Sequence, residues 1–334
     1  MKASRICQRA LVLAIAGLTV GITACSSGSS ASSGSSGAPE LSNITIGVLP
    51  TADSVTLQIA EAKGFFKQQG LNVKLIDMTT TNQATAGLLS HTMDFGEENY
   101  VGMFEAEKSV PNLDLRIVAD NSQSAPDGYV LLVSKNSKLT SIAQLKGKKV
   151  SFPAPGFNLG AMALDVLLQP YHMSTASFTT VVLPFSAAQQ ALAKGEVDAA
   201  FTTEPFITIA EAAAGDRILI DALSGPLVGF PQTCWGTTAS FTQKYPKTVA
   251  AFQRAIGEAT RIASTNTAYV RSELPKFIPT MSPAIAEVIT LPVYNTTLSL
   301  TRMERAADTI EQLNELPKNF NVKAMYYPLV GSAS

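Results

Sequence analysis

Apolar residues fall along this chain in two alternating rhythms. Short runs such as Ile44–Leu49 and Leu71–Met78 read as strands. Between them, Val55, Ile59, Ala62 and Phe66 recur at helical spacing, and Gly64 and Gly70 break the helix. Thr79 to Asn82 forms a polar loop opening a further helix, which ends before Met93-Asp94-Phe95-Gly96. This βαβαβ order predicts a mostly parallel sheet flanked by helices.

The rhythm then repeats. Leu115–Ala119 predicts a strand, Asp120 to Gly128 a turn-rich connection, and Tyr129–Ser134 a strand entering a second α/β unit. Lys149–Phe152, Phe178–Leu183, Val197–Phe201 and Ile218–Asp221 are its further strands, with a helix at Leu159–Leu168. Gly195 suits the left-handed residue that ends a helix. The stretch around Asp198 repeats that around Asp94: helix end, short strand with one acid, acidic polar loop. Cys234 to Ala239 returns the chain to the first unit. Val249, Phe252, Ile256 and Ala259, then Met303, Ala306, Ile310 and Leu313, predict amphipathic helices packed around it.

The expected fold is therefore α/β and two-lobed, each lobe a mostly parallel sheet with helices. Residues 41–128 and 235–334 form the first lobe, and 129–234 the second. In open α/β sheets ligands sit beyond the carboxyl ends of strands, so the loops after the repeated strands face each other across a cleft.

The N-terminal stretch changes the setting. Lys2, Arg5 and Arg9 precede an apolar core, Leu11–Ile22, too short to span a bilayer. Ile22-Thr23-Ala24-Cys25 matches a bacterial lipobox, which makes residues 1–24 a signal peptide and Cys25 the lipidated residue. Residues 25–40 are then a Ser/Gly-rich tether, of which Ser26–Ala38 alone can stretch about 45 Å. Loss of the three basic residues takes the net charge from −1 to about −4, so nothing points to nucleic acid. Cys234 is left alone among the three cysteines, which excludes an intrachain disulfide and a cysteine metal cluster. His91 and His172 have no ligand-spaced partner, so no metal and no cofactor are expected.

Several motifs together resemble one family. They are Ala60-Glu61-Ala62-Lys63-Gly64-Phe65-Phe66 running to Gly70-Leu71-Asn72-Val73, the Met93–Gly96 turn, Leu145-Lys146-Gly147-Lys148-Lys149-Val150, and Asp198-Ala199-Ala200 leading to Glu204-Pro205-Phe206. In order and spacing they resemble substrate-binding lipoproteins of ABC importers, within the nitrate/sulfonate/taurine and thiamine-pyrimidine-precursor binding group. The resemblance implies a type II periplasmic-binding-protein fold with crossovers near Gly128–Val130 and Phe230–Trp235. It also implies a monomer that closes on a small molecule and delivers it to a permease and its ATPase from the outer face of the membrane. One related branch makes the thiamine pyrimidine with a histidine and a cysteine-rich iron site. This chain has no such cluster, no Ser-His-Asp order and no phosphate loop, so no catalytic residue is assigned.

The expected ligand-binding residues follow from the loop positions. Asp53 either faces the cleft or caps the first helix. Thr80, Thr81 and Asn82 either bond a ligand or cap the next one. Of Glu97 and Glu98, one faces the cleft and the other solvent, followed by Asn99 and Tyr100. Gly156, Phe157 and Asn158 form a facing helix N-terminus. Thr203 and Glu204 precede Pro205, Glu204 with the alternative of a plain cap. Tyr100, Phe157, Phe230 and Trp235 are candidates to stack on a ligand ring or, alternatively, core residues. With four acids and no base in these loops, the expected ligand is neutral or cationic, such as a pyrimidine, rather than nitrate or a sulfonate.

Overall fold

The structure is a computed structural model that describes residues 37–110 and 112–329. The predicted signal peptide, Cys25 and nearly all of the predicted tether lie outside the described residues. Glu40, placed in the tether, is tied down. Its carboxylate accepts from the Lys247 and Thr248 amides at 3.1 and 2.8 Å, at the start of a long helix.

The chain opens with β1 (Asn43–Val48), a 3-10 turn (Ala52–Ser54), α1 (Val55–Ala62) and α2 (Phe65–Gln68), split at Gly64. Gly64 takes φ 69°, the left-handed region open to glycine. β2 (Asn72–Asp77), α3 (Asn82–Leu89), β3 (Phe95–Asn99), α4 (Tyr100–Ser109) and β4 (Leu115–Gln123) follow. The chain then crosses to a second sheet. That sheet holds β5 (Tyr129–Val133), β6 (Lys149–Phe152), β7 (Thr179–Val182), β8 (Ala199–Thr203) and β9 (Arg217–Asp221). Its helices are α5 (Leu159–Leu168), α6 (Phe185–Lys194) and α7 (Phe206–Ala214). β10 (Pro231–Thr238) returns to the first sheet. α8 (Ala239–Lys244), α9 (Pro246–Thr265), α10 (Thr267–Phe277), α11 (Pro283–Val288), β11 (Val293–Tyr294), α12 (Leu300–Gln312) and α13 (Val322–Met325) complete the chain.

The strand orders are β11-β4-β10-β3-β1-β2 and β7-β6-β8-β5-β9. The sheets are mixed rather than mostly parallel. β1 pairs parallel with β2 and β3, and β6 with β7 and β8, as the βαβ pattern requires. β4, β5 and β10 lie next to the crossings and run antiparallel to neighbours in their sheets. A strand that arrives from the other lobe has no helical crossover to impose parallel pairing.

The repeat read from the sequence has a physical counterpart. Asp94 accepts from the Thr45 amide at 2.7 Å, and Asp198 from the Lys149 amide at 2.8 Å. Each acid returns its own amide to the same residue's carbonyl. In both lobes the acid before a strand thus latches the neighbouring parallel strand and sets its register. The helical period over Val249–Ala259 lands where expected, whereas Ala62 of the first period is exposed. Val249, Phe252, Ile256 and Ala259 are buried in the first-lobe core, where Phe252 stacks on Phe95 with ring centroids 3.9 Å apart.

Candidate functional site

A cavity of about 40 Å³ lies between the carboxyl ends of the strands of the two sheets. The first lobe contributes Leu49, Thr51, Thr80, Thr81, Glu97, Asn99 and Thr233. The second contributes Tyr129, Pro153, Ala154, Asn158, Leu159, Gly160, Phe185 and Phe201. The volume holds about one or two waters, so the lobes stand closed. The wall contains no Lys, Arg or His.

Five predicted residues meet here: Thr80, Thr81, Glu97, Asn99 and Asn158. Asn99 and Asn158 are also helix caps. Asn99 accepts from the Gly102 amide at 2.7 Å and donates to Thr81 Oγ1 at 3.0 Å. Asn158 accepts from the Gly160 and Ala161 amides at 3.0 and 3.1 Å. The first-turn amides of α4 and α5 that these caps engage are therefore not free to bind an anion.

Glu97 is the acid of the site and is 1 % exposed. Its Oε2 accepts from the Leu49 amide at 3.1 Å and from the Ser54 hydroxyl. Burial pushes its carboxyl up to about 8. Asp53 nearby adds to the rise, while the bonds from Ser54 and Leu49 oppose it. A carboxyl raised in this way favours its protonated form at neutral pH.

The remaining expectations need correction. Asp53 neither caps α1 nor lines the cavity. It is buried behind the wall and accepts from the Ser122 hydroxyl at 2.5 Å and the Tyr129 hydroxyl at 3.2 Å. Asn82 sits exposed in the first turn of α3, outside the cavity. Glu98 does not face solvent; strand alternation turns it to the other side of the sheet. There it is buried and accepts from the Thr85 hydroxyl at 2.7 Å. Burial lifts it, too, to about 8. For Tyr100, Phe230 and Trp235 the core alternative holds: all three are fully buried, Tyr100 edge-on to Phe104 and Trp235 edge-on to Phe252. Gly156 and Phe157 border a separate open hollow of the second lobe with Asp165 and Glu315. Thr203 is spent on the Gly128 carbonyl at 2.9 Å.

Glu204 caps the first turn of α7 and has a further task. It accepts from the Thr208 amide and hydroxyl of its own lobe, and from the Thr290 amide of the other at 3.1 Å. Its carbonyl accepts from the Ala52 amide of the other lobe at 3.2 Å. Glu204 spans the seam between the lobes.

Sequence reasoning missed the apolar wall: Leu49, Pro153, Ala154, Leu159, Phe185 and Phe201. The signal was present for Phe185. It opens α6 just after β7, at a strand's carboxyl end.

A family model described as "NMT1/THI5 like" matches residues 51–267. The chain belongs to the NMT1/THI5-like family. Among curated relatives it is 24% identical over 156 residues to the 4-amino-5-hydroxymethyl-2-methylpyrimidine phosphate synthase THI13 of Saccharomyces cerevisiae. That alignment covers 46% of this chain and 44% of the yeast protein, so the match spans about half the length of each. It is also 25% identical to a putative aliphatic sulfonates-binding protein of Bacillus subtilis, over 66% of this chain and 65% of that protein. Among solved structures, the alkanesulfonate-binding protein SsuA from Xanthomonas axonopodis pv. citri, bound to MOPS, superposes with a TM-score of 0.73 at 19% identity. It covers 86% of this chain and 99% of that one. The two-lobed α/β architecture is that of the periplasmic binding proteins, as the motif resemblance implied.

Proposed function

We propose that this NMT1/THI5-like protein is an extracytoplasmic solute-binding lipoprotein. It captures a small nitrogenous molecule, such as a pyrimidine, between its lobes and delivers it to an ABC import permease. The observation that carries the reading is the composition of the cleft. Leu49, Leu159, Phe185 and Phe201 offer apolar surface for a flat ring, while Thr51, Thr80 and Thr81 offer hydroxyls. A six-membered ring exceeds the present cavity, so it is seated with the lobes slightly further apart and admitted by their opening.

Charge repulsion no longer argues against an oxyanion, because Glu97 alone of the four loop acids lines the cavity and it favours its protonated form at neutral pH. What argues against one is the lack of positive charge. The wall has no cationic side chain, and the Asn99 and Asn158 caps occupy first-turn amides of α4 and α5. The pyrimidine synthase activity named for the fungal relatives is not supported by the cleft. Neither histidine lines it, and His91 borders a distant surface hollow with Asp94 and Lys244. The lipid anchor at Cys25 rests on the lipobox alone.

Titration calorimetry with 4-aminopyrimidine, taurine, methanesulfonate and nitrate tests the ligand class. Binding of 4-aminopyrimidine without turnover supports the proposal. Tight binding of methanesulfonate with no response to 4-aminopyrimidine refutes it.

A further inference from the structure

The cavity wall carries a polar atom that the protein itself leaves unpaired. Glu97 Oε2 takes the Leu49 N–H and the Ser54 O–H, but Oε1 is buried with no partner among the described residues. Buried polar groups are almost always paired, and this one belongs to a side chain lining the cleft. Oε1 therefore waits for a partner brought by the ligand.

We infer that Glu97 selects ligands by sharing a single proton between Oε1 and a weakly basic ring nitrogen. The inference rests on the nitrogenous-ligand reading above and specifies the contact. In the empty site the proton sits on Oε1, because Oε2 already receives two donors. A pyrimidine-type nitrogen has an in-plane lone pair and no hydrogen, so it accepts O–H···N. A ligand arriving protonated makes the same pair if Glu97 gives up its proton to solvent. With two protons, O–H would face N–H⁺ and both would be donors. With none, a carboxylate would face a lone pair and both would be acceptors. Either mismatch leaves buried groups unsatisfied.

The ionisable groups around Glu97 are all acids. Asp53 faces it from the 3-10 turn, Glu98 adjoins it on β3, Tyr129 approaches from β5 and Cys234 from β10. Of these, Asp53 adds to the rise of the Glu97 carboxyl, and Glu97 in turn raises Glu98, Tyr129 and Cys234. Glu98 titrates in the same range but lies on the opposite face of the strand, bonded to Thr85.

The test is calorimetry with 4-aminopyrimidine over pH on wild type, Glu97→Gln and Glu98→Gln, with circular dichroism confirming the fold at each pH. Wild-type affinity should be highest between the ring nitrogen's own pKa and about 8. It should fall about tenfold per pH unit on either side. Glu98→Gln should keep both limbs, and Glu97→Gln should lose the alkaline one. If Glu97→Gln does not fold, the wild-type and Glu98→Gln profiles decide alone. Affinity unchanged between about pH 7 and about pH 9.5, or an alkaline limb that survives Glu97→Gln, overturns the shared proton and leaves the cleft reading standing. Failure of 4-aminopyrimidine to bind at every pH overturns both.

Discussion

Replacing Glu204 by alanine removes a contact between the lobes whose size can be worked out. Two bonds cross the seam at this residue: Thr290 N–H to Oε1 at 3.1 Å, and Ala52 N–H to the Glu204 carbonyl at 3.2 Å. The second uses the backbone and survives the substitution. The bonds from Thr208 lie within the second lobe, so they persist when the cleft opens and contribute nothing to closure. One interlobe bond is therefore lost. Its net value is about 0.5–1.5 kcal/mol for a neutral acceptor and about 1.5–3 for a charged one. Burial raises the Glu204 carboxyl above its ordinary range; a value spanning the two cases is roughly 1–2 kcal/mol. The ratio of closed to open forms should then drop about 5- to 30-fold. X-ray scattering of the ligand-free variant should give a larger radius of gyration. Stopped-flow should show ligand dissociation faster by the same factor, with association little changed. Thr208→Ala is the control, since it removes only the hydroxyl bond inside one lobe and leaves the amide bond in place. Wild-type scattering and dissociation in Glu204→Ala, or an equal effect of Thr208→Ala, would refute the latch.

Three further outcomes follow from particular residues. Glu97 and Glu98 are both raised to about 8, so the folded state holds more protons than the unfolded chain from about pH 4.5 upward. Their contribution to stability is complete below that range and is lost as pH rises through 8; thermal unfolding should show a higher Tm at pH 5 than at pH 8, and Glu98→Gln should flatten the slope. Asp94→Ala should cost about 1–3 kcal/mol in denaturant unfolding without changing ligand affinity. Asp198→Ala should cost less, because its side chain is 40% exposed and water replaces the lost bond. Cys25→Ser should move the protein from the detergent phase to the aqueous phase with its unfolding transition unchanged; retention with the membrane at wild-type strength would refute the lipobox reading.

Local pattern was enough to determine the elements and the two lobes, while the antiparallel pairings at the crossings came only from the tertiary structure. Strand and helix periods, the glycine at 195 and the repeated acids at 94 and 198 are short-range signals, and the structure carries all of them. The same reasoning placed the cleft at the carboxyl ends of the strands, which brought Thr80, Thr81, Glu97, Asn99 and Asn158 to it. Tertiary structure alone decided which loop residues face it. Glu97 and Glu98 are neighbours in sequence, yet the pleat sends one to the cavity and the other beneath the sheet. For Trp235 and Phe230 the sequence leaves ring stacking and core packing open; β10, threaded between β3 and β4, buries Trp235, and Phe230 just before it is buried too. Asp53 looks like a cap, but its partners Ser122 and Tyr129 are 69 and 76 residues away; Glu204 does cap α7 through the Thr208 amide, yet it also reaches Thr290, 86 residues on. The charge of the site was decided there as well. A carboxyl's state depends on how much water the folded chain excludes from it, which no local window of sequence contains.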